Sequence, residues 1–309
     1  MFKLPNPPSP QSDTHELADF IEMMSWDLGS ASKREIVAYL GRVDDNDDNE
    51  GCNDDDDENS AFLDEVMNEI ERRATACGNG YPFCLDLEGT VLRHQADVDQ
   101  EKAIVYRYLL LGTRLNMKSN RIHGEIDGTV LMEELSAKVL QNYLGALRAR
   151  SLVFGTAVTG DFSDKVESLC RELCEGVGFE SLDESTVEAN DDKLDAVAWV
   201  PFADRLPGQL IVFGQCKTGS NWGGLETQLQ PDAFIKKWLR GTIVVNPIRA
   251  FCIAEAADRS KWKGTCAIAG ILFDRCRLVD YCDNLPRDLL DRILTWTTAA
   301  KASASCSGC

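Results

Sequence analysis

Apolar and polar positions along this chain repeat with two different periods, and the changes of period divide it into elements. HELADFIEMMSWDL carries apolar residues at helical spacing and stops at Gly29. SKREIVAYLGR predicts a second helix, with Ser32 as N-cap and Gly41 near its end. SAFLDEVMNEIERRATAC predicts a third, with Phe62, Val66, Ile70 and Ala74 along one stripe. YPFCLDLEGTVLRH then reads as two short strands around Glu88-Gly89. Two further helices, VDQEKAIVYRYLLLGTRLN and TVLMEELSAKVLQNYLGALRA, are joined by the polar loop MKSNRIHGEIDG. The tyrosines there, Tyr106, Tyr108 and Tyr143, read as helix packing. SLVFGTAVTGDF marks a strand and a glycine boundary, and VESLCRELCEGVGFE a helix. LDAVAWV and QLIVFGQ read as antiparallel strands around the turn PFADRLPG. PDAFIKKWLRG is a helix with Pro231 in its first turn. IVVNPIRAFCIAEA and CAIAGILFDRCRLVDYC are expected to add strands to a central sheet. LPRDLLDRILTWTTAAKA closes the chain as a helix before a loose tail.

The stretch Asp191–Trp222 concentrates the candidate chemistry. Side chains alternate across a strand, so Gln215 and Lys217 share a face of the second strand of the pair, and Leu210, Val212, Gly214 and Cys216 take the other. Hairpin pairing brings Asp195, at the start of the first strand, beside them. An inward lysine is costly unless it is paired or used.

An acid, a spacer and then QCK, between two helices, resembles the PD-(D/E)XK nuclease superfamily. Upstream, Glu167 followed by Leu169, Cys170, Leu173, Cys174 and Gly178-Phe179 resembles the opening of the branch related to modified-DNA restriction enzymes. The resemblance covers roughly residues 160–282. Two positions depart from the family pattern: Gln215 stands where an acid is usual, and Asp192-Lys193-Leu194 replaces Gly-Asp-Gly. The resemblance implies an α/β, restriction-endonuclease-like core at 151–300, a mixed central sheet flanked by helices. It implies a Mg²⁺- (or Mn²⁺-) dependent endonuclease acting on DNA, with defence against foreign DNA as the context and a separate protein as activator. The implied ligands are Asp195, the Gln215 side-chain oxygen, the Cys216 main-chain carbonyl and Glu167; Lys217 orients the attacking water. Thr218, Ser220 and Asn221, in the glycine-rich loop that follows, are candidate phosphate contacts. Gln215 removes one negative charge, so metal binding weaker than a glutamate would give is expected. The alternatives are an inactive nuclease fold serving as a binding platform, and an RNA-directed nuclease.

Composition adjusts this picture at a few points. The formal net charge is −19, yet residues 44–58 alone hold ten acids and no base. Between Lys217 and Arg277, ten bases face five acids, so the candidate site lies in a locally basic stretch. Asn46, Asp48, Glu50, Gly51 and Asp57 fall at EF-hand-like offsets, but Asn stands first and Asp last, and the segment reads as a solvated insertion. Three histidines are too scattered for a histidine-rich metal site, and the twelve cysteines lack zinc-finger spacing. The cysteines, Cys170 and Cys174 among them, read as reduced thiols in a cytoplasmic protein. There is no GxxxxGK[ST] motif and no run of about 18 apolar residues, so neither a P-loop nor a membrane span is expected. No secretory signal is read in MFKLPNPPSPQSD, and oligomerisation is left open. The expected organisation is a disordered arm (1–13), a helical, winged-helix-like domain (14–97), a helical linker region (98–150), the nuclease-like domain (151–300) and a loose tail (301–309).

Overall fold

The computed structural model describes residues 2–9, 11–44, 55–86, 88–95, 101–157, 160–182 and 192–305. The N-terminal part runs α1 (Thr14–Leu28), β1 (Ser30–Ser32), α2 (Lys33–Asp44), α3 (Asp55–Cys77), β2 (Phe83–Leu85) and β3 (Val91–His94). Helix α1 ends where Gly29 adopts φ 86°, a left-handed cap that glycine takes without strain. Helix α2 opens on a reciprocal capping box. Ser32 N donates to Glu35 Oε2 at 2.9 Å, and Glu35 N donates to Ser32 Oγ at 3.2 Å. The three strands form an antiparallel sheet in the order β1-β3-β2. The hairpin was expected; its third strand, three residues long, was not.

Next come α4 (Glu101–Arg114), a two-residue-strand hairpin of β4 (Ile122–His123) and β5 (Ile126–Asp127), and α5 (Gly128–Tyr143). The remainder is β6 (Arg150–Val153), α6 (Phe162–Leu173), β7 (Ala196–Val200), β8 (Leu210–Lys217), α7 (Pro231–Trp238), β9 (Ile248–Ile253), α8 (Trp262–Ala269), β10 (Ile271–Phe273), α9 (Arg275–Asp280) and α10 (Arg287–Ser305). Strands β6, β7 and β8 are antiparallel neighbours, and β9 and β10 continue the sheet in parallel. Alternation along β8 serves two cores. Val212 and Cys216 join the larger one, shared with α1, α3, α4, α5, α9 and α10. Ile211 and Phe213 join the other, with α6, α7 and Trp199. Gly214 lets α5 close on the sheet, since a Cβ there would meet Leu140 Cδ1 at 2.7 Å.

Several expectations change. RCRLVD is helix α9, not strand, because Asp274 caps it by accepting from Arg277 N at 3.2 Å. CAIA falls in α8, so only Ile271–Phe273 of that stretch is strand. Residues 2–9 and 11–13 pack on the body instead of forming a disordered arm. Phe2 is buried beneath the Arg114 guanidinium, 4.7 Å from the ring centroid, and Leu4 N donates to Arg114 O. Helix α10 extends through Ser305, absorbing half of the expected tail. Cys174 is the exposed cap of α6, with φ 55°. The calcium-loop positions Asn46, Asp48, Glu50 and Gly51 lie outside the described residues, and Asp57 is in α3. The tyrosines do pack: Tyr106 and Tyr108 are fully buried, and Tyr143 sits edge-on to Phe273 and Tyr281. No helix among the described residues is long and apolar enough to cross a membrane.

A buried ionic cluster ties the three expected units into one body. Asp19 on α1 accepts from Arg73 of α3 (2.6 Å), Arg114 of α4 (2.7 Å) and Arg275 of α9 (2.7 and 3.0 Å). Glu22 accepts from Arg73, Tyr81 Oη and Tyr106 Oη. Arg114 also reaches Glu16 and Glu255. Helix α5, placed in the linker by its sequence position, packs against β6, β7 and β8 and so belongs to the sheet layer.

Candidate functional site

The β7–β8 register sets Ala196 opposite Gly214, so Asp195 stands opposite Gln215, one step beyond the ladder. Asp195 is fixed by its backbone on both sides. Its N–H donates to Gly214 O, and its carbonyl accepts from Phe154 N and Gly155 N. Its side chain is 5% exposed, and Oδ2 accepts from Cys216 N at 2.7 Å. In antiparallel pairing a residue's N–H and C=O point the same way. The Cys216 carbonyl therefore faces the same edge as the Asp195 carboxylate.

Gln215 is 1% exposed. Its Nε2 donates to Gln228 Oε1 at 3.3 Å, while its Oε1 is buried with no hydrogen-bond partner among the described residues. A buried, unpartnered acceptor costs about 1–3 kcal/mol. Lys217, two residues on and half-buried, is on the same face of the strand. Cys216 points into the larger core. Burial, followed by the charges of Asp195 and Glu133, pushes its thiol well above the usual range, which leaves it inert as a nucleophile.

Asp195, Gln215 and Lys217 are thus brought together as the alternation predicts. Glu167 is not joined to them. Helix α6 turns Phe162, Lys165, Val166, Leu169, Cys170 and Leu173 inward, and Glu167 is exposed, accepting from Phe179 N at 3.0 Å. It lines a surface cavity of about 330 Å³ with Cys170, Arg171 and Glu175. The acid that reaches the Asp195 corner comes from α5. Glu133 is buried; its Oε1 accepts from Thr156 N and Oγ1, and its Oε2 accepts from Ala157 N at 2.7 Å. Its carboxylate packs on Gly155, whose N–H donates to Asp195 O. Buried Lys165 donates to Gly155 O at 2.8 Å, bringing a cation to the same corner. Glu133, Lys165 and Gln228 escape a reading by sequence spacing because their partners lie far off in the chain. The alternating burial of α6 is the one signal that separates Lys165 from Glu167.

The loop after Lys217 is fastened at two points: Gly219 N donates to Gly112 O, and Trp222 Nε1 donates to Glu255 at 2.7 Å. Ser220 is buried, as Asp195 and Gln215 are. Thr218 is half-buried and Asn221 exposed.

No family model, curated protein or solved structure matches this chain.

The donor set bears on metal binding. Among the described residues no group of three or more His, Cys, Asp and Glu is arranged to hold a metal ion. The set offered here has a different composition: one carboxylate, one amide oxygen and one main-chain carbonyl. All three are hard oxygen donors, and the unpartnered Gln215 Oε1 is a position a cation would satisfy.

Proposed function

We propose that this protein is a Mg²⁺- (or Mn²⁺-) dependent nuclease that hydrolyses phosphodiester bonds in DNA. The observation that carries the reading is the buried Gln215 Oε1, without a hydrogen-bond partner among the described residues, beside Asp195 and with Lys217 on the same strand face. The chain order α5-β6-α6-β7-β8-α7-β9, in which β6, β7 and β8 are antiparallel neighbours and α7 crosses over to the parallel β9, supports the restriction-endonuclease-like core, with α6 inserted between its first two strands. The order β1-β3-β2 around three helices supports the winged-helix-like reading of the N-terminal part. The sequence SKREIVAYLGR offers only Lys33, Arg34 and Arg42 as bases, so the reading gives that part a docking role rather than a DNA-reading one.

The Asp195 carboxylate, Gln215 Oε1 and the Cys216 carbonyl would hold the cation. A bound Mg²⁺ supplies charge neutralisation on the phosphoryl oxygens and acidifies a coordinated water. Lys217 binds a non-bridging phosphate oxygen and orients the water for in-line attack. Glu133, rather than Glu167, is the helix acid of the site. Accepting from Thr156 N, Thr156 Oγ1 and Ala157 N, its carboxylate fixes the Thr156–Ala157 turn against Gly155 and so the position of Asp195. The single carboxylate predicts weak cation binding that the substrate's own oxygens complete. Defence against foreign DNA, with a separate activating partner, rests on this same reading.

A binding platform without activity is the second reading, favoured by one observation: Gln215 stands in place of an acid and its amide is engaged by Gln228. Plasmid DNA incubated with Mg²⁺, Mn²⁺ or EDTA, beside the Lys217→Ala protein, separates the two. Metal-dependent cleavage lost in the variant supports the nuclease; equal DNA binding by both proteins without cleavage supports the platform. Duplex DNA, single strands and structured RNA offered in parallel decide the substrate.

A further inference from the structure

The sheet has a second chemically distinct end. Strand β7 runs away from Asp195 towards Val200, and β6 and β8 run antiparallel to it. Six residues of strand at about 3.3 Å each put Pro201 roughly 20 Å from Asp195. There the start of β6, the end of α6 and the β7–β8 turn enclose a cavity of about 650 Å³. Arg148 and Arg150 come from β6 and its approach, Arg171 from α6, and Arg205 from the turn. All four are exposed, and none is ion-paired among the described residues. Glu172 is the one carboxylate in the lining among the described residues. Phe202, 59% exposed, forms part of the same wall. The turn is shaped by Arg205 N donating to Phe202 O and Leu206 N donating to Asp204 Oδ1. The floor is rigid: buried Gln209 donates to Leu173 O, and Glu175 accepts from Gly208 N and Val244 N.

Four guanidinium groups line one cavity against a single carboxylate among the described lining residues, a local excess of positive charge that suits a polyanion. The chain's overall charge of −19 otherwise repels anions, so this quartet opposes the field around it. Guanidinium forks match phosphate oxygens bidentately. The cavity falls within the range of about 300–1,000 Å³ that small-molecule sites occupy, and an exposed aromatic ring is a stacking platform for a base. The arginines converge on one cavity instead of forming a stripe, which fits a free nucleotide better than a strand threading past.

We propose that this cavity binds a nucleoside di- or triphosphate, with Arg148, Arg150, Arg171 and Arg205 on the phosphates and Phe202 against the base. The proposal does not rest on the nuclease reading. The test is calorimetric titration of the full chain in EDTA with ATP, GTP, inorganic tripolyphosphate and a short single-stranded oligodeoxynucleotide. ATP or GTP should bind, and Arg150→Glu with Arg205→Glu should weaken that binding by at least about tenfold. Phe202→Ala should weaken nucleotide binding several-fold and leave tripolyphosphate binding unchanged. These side chains are exposed, so circular dichroism should show the variants folded; the single Arg205→Gln variant provides the same comparison if the double variant is not. Absence of nucleotide binding at millimolar concentration, undiminished binding in the charge-reversed protein, or binding of the oligonucleotide but not of free nucleotides would each overturn the proposal.

Discussion

Asp19 and Asp195 are both buried carboxylates, and their surroundings differ in one decisive respect. Asp19 is surrounded by three guanidinium groups from three helices. Burial alone would raise its pKa, but Arg275, Arg114 and Arg73 hold it well below the usual carboxylate range. Asp195 is held by backbone, with Cys216 N on one oxygen, and the amide oxygen opposite it has no partner among the described residues. A buried network whose charges are matched fixes a structure; one left with an unsatisfied acceptor is a candidate for binding something. The predictions test that contrast.

The largest effect should come from Asp19. Asp19→Ala leaves Arg73, Arg114 and Arg275 short of their shared anion, and losing one partner of a buried ion pair costs about 3–5 kcal/mol. Urea denaturation should report that loss at neutral pH. Because the folded pKa is depressed, the stabilisation is fully present above the unfolded value of about 4 and is lost as pH falls through the lower folded one. The stability gap between the native protein and Asp19→Asn should therefore be constant above that value and close in acid. An unchanged gap at low pH would mean that the cluster is held by packing rather than charge.

At the other carboxylate the pattern should invert. Lys217→Ala should reduce phosphodiester cleavage by about a hundredfold or more, while the unfolding midpoint moves little, since the side chain is half-buried. A variant that loses stability and keeps activity would put Lys217 with Asp19, among the structural charges.

The sequence made the trio legible and hid Glu133 for one physical reason. Alternation along a strand is local, so Gln215 and Lys217 could be assigned to one face and Asp195 brought across from them by a single turn. Glu167 precedes an apolar stripe and a Gly-aromatic pair, but helical phase turns it outward, one position from buried Val166. Glu133 belongs to TVLMEELSAKVLQNY, where Glu134 is its neighbour and nothing local tells them apart. Its partners Thr156 and Ala157 are 23 and 24 residues away. The same holds at fold level. Helix and hairpin positions followed from periodicity, whereas the union of all units in one body depends on contacts such as Asp19 to Arg275, 256 residues apart.

Replacing each of the two glutamates in turn tests the role proposed for Glu133. Glu133→Gln should lower cleavage by about tenfold and raise the Mg²⁺ concentration needed for half-maximal rate, as loss of a supporting carboxylate does. Glu167→Gln should leave both within about twofold, as for an exposed residue away from the reaction. The metal-concentration shift separates this from a structural role, which would lower the melting temperature without moving the Mg²⁺ dependence. The reverse ranking would restore α6 as the source of the acid.

The smallest effect lies where the two regions meet. Lys3 Nζ donates to Thr113 O and sits against Gly219, in the loop that follows Lys217. Burial, reinforced by Arg114, lowers its pKa to about 8 against the opposing pull of Glu255, Asp19 and Glu16. Between about pH 8 and 10.5 the unfolded chain keeps this proton and the folded one has released it, so Lys3 contributes a rise in stability with pH across that window and none below it. Lys3→Met removes the titrating group. The difference in melting temperature between the two proteins should be flat from pH 6 to about 7 and then shift in favour of the native chain as pH climbs towards 10. A difference that stays constant across that range would mean the ammonium is no less comfortable in the fold than in water.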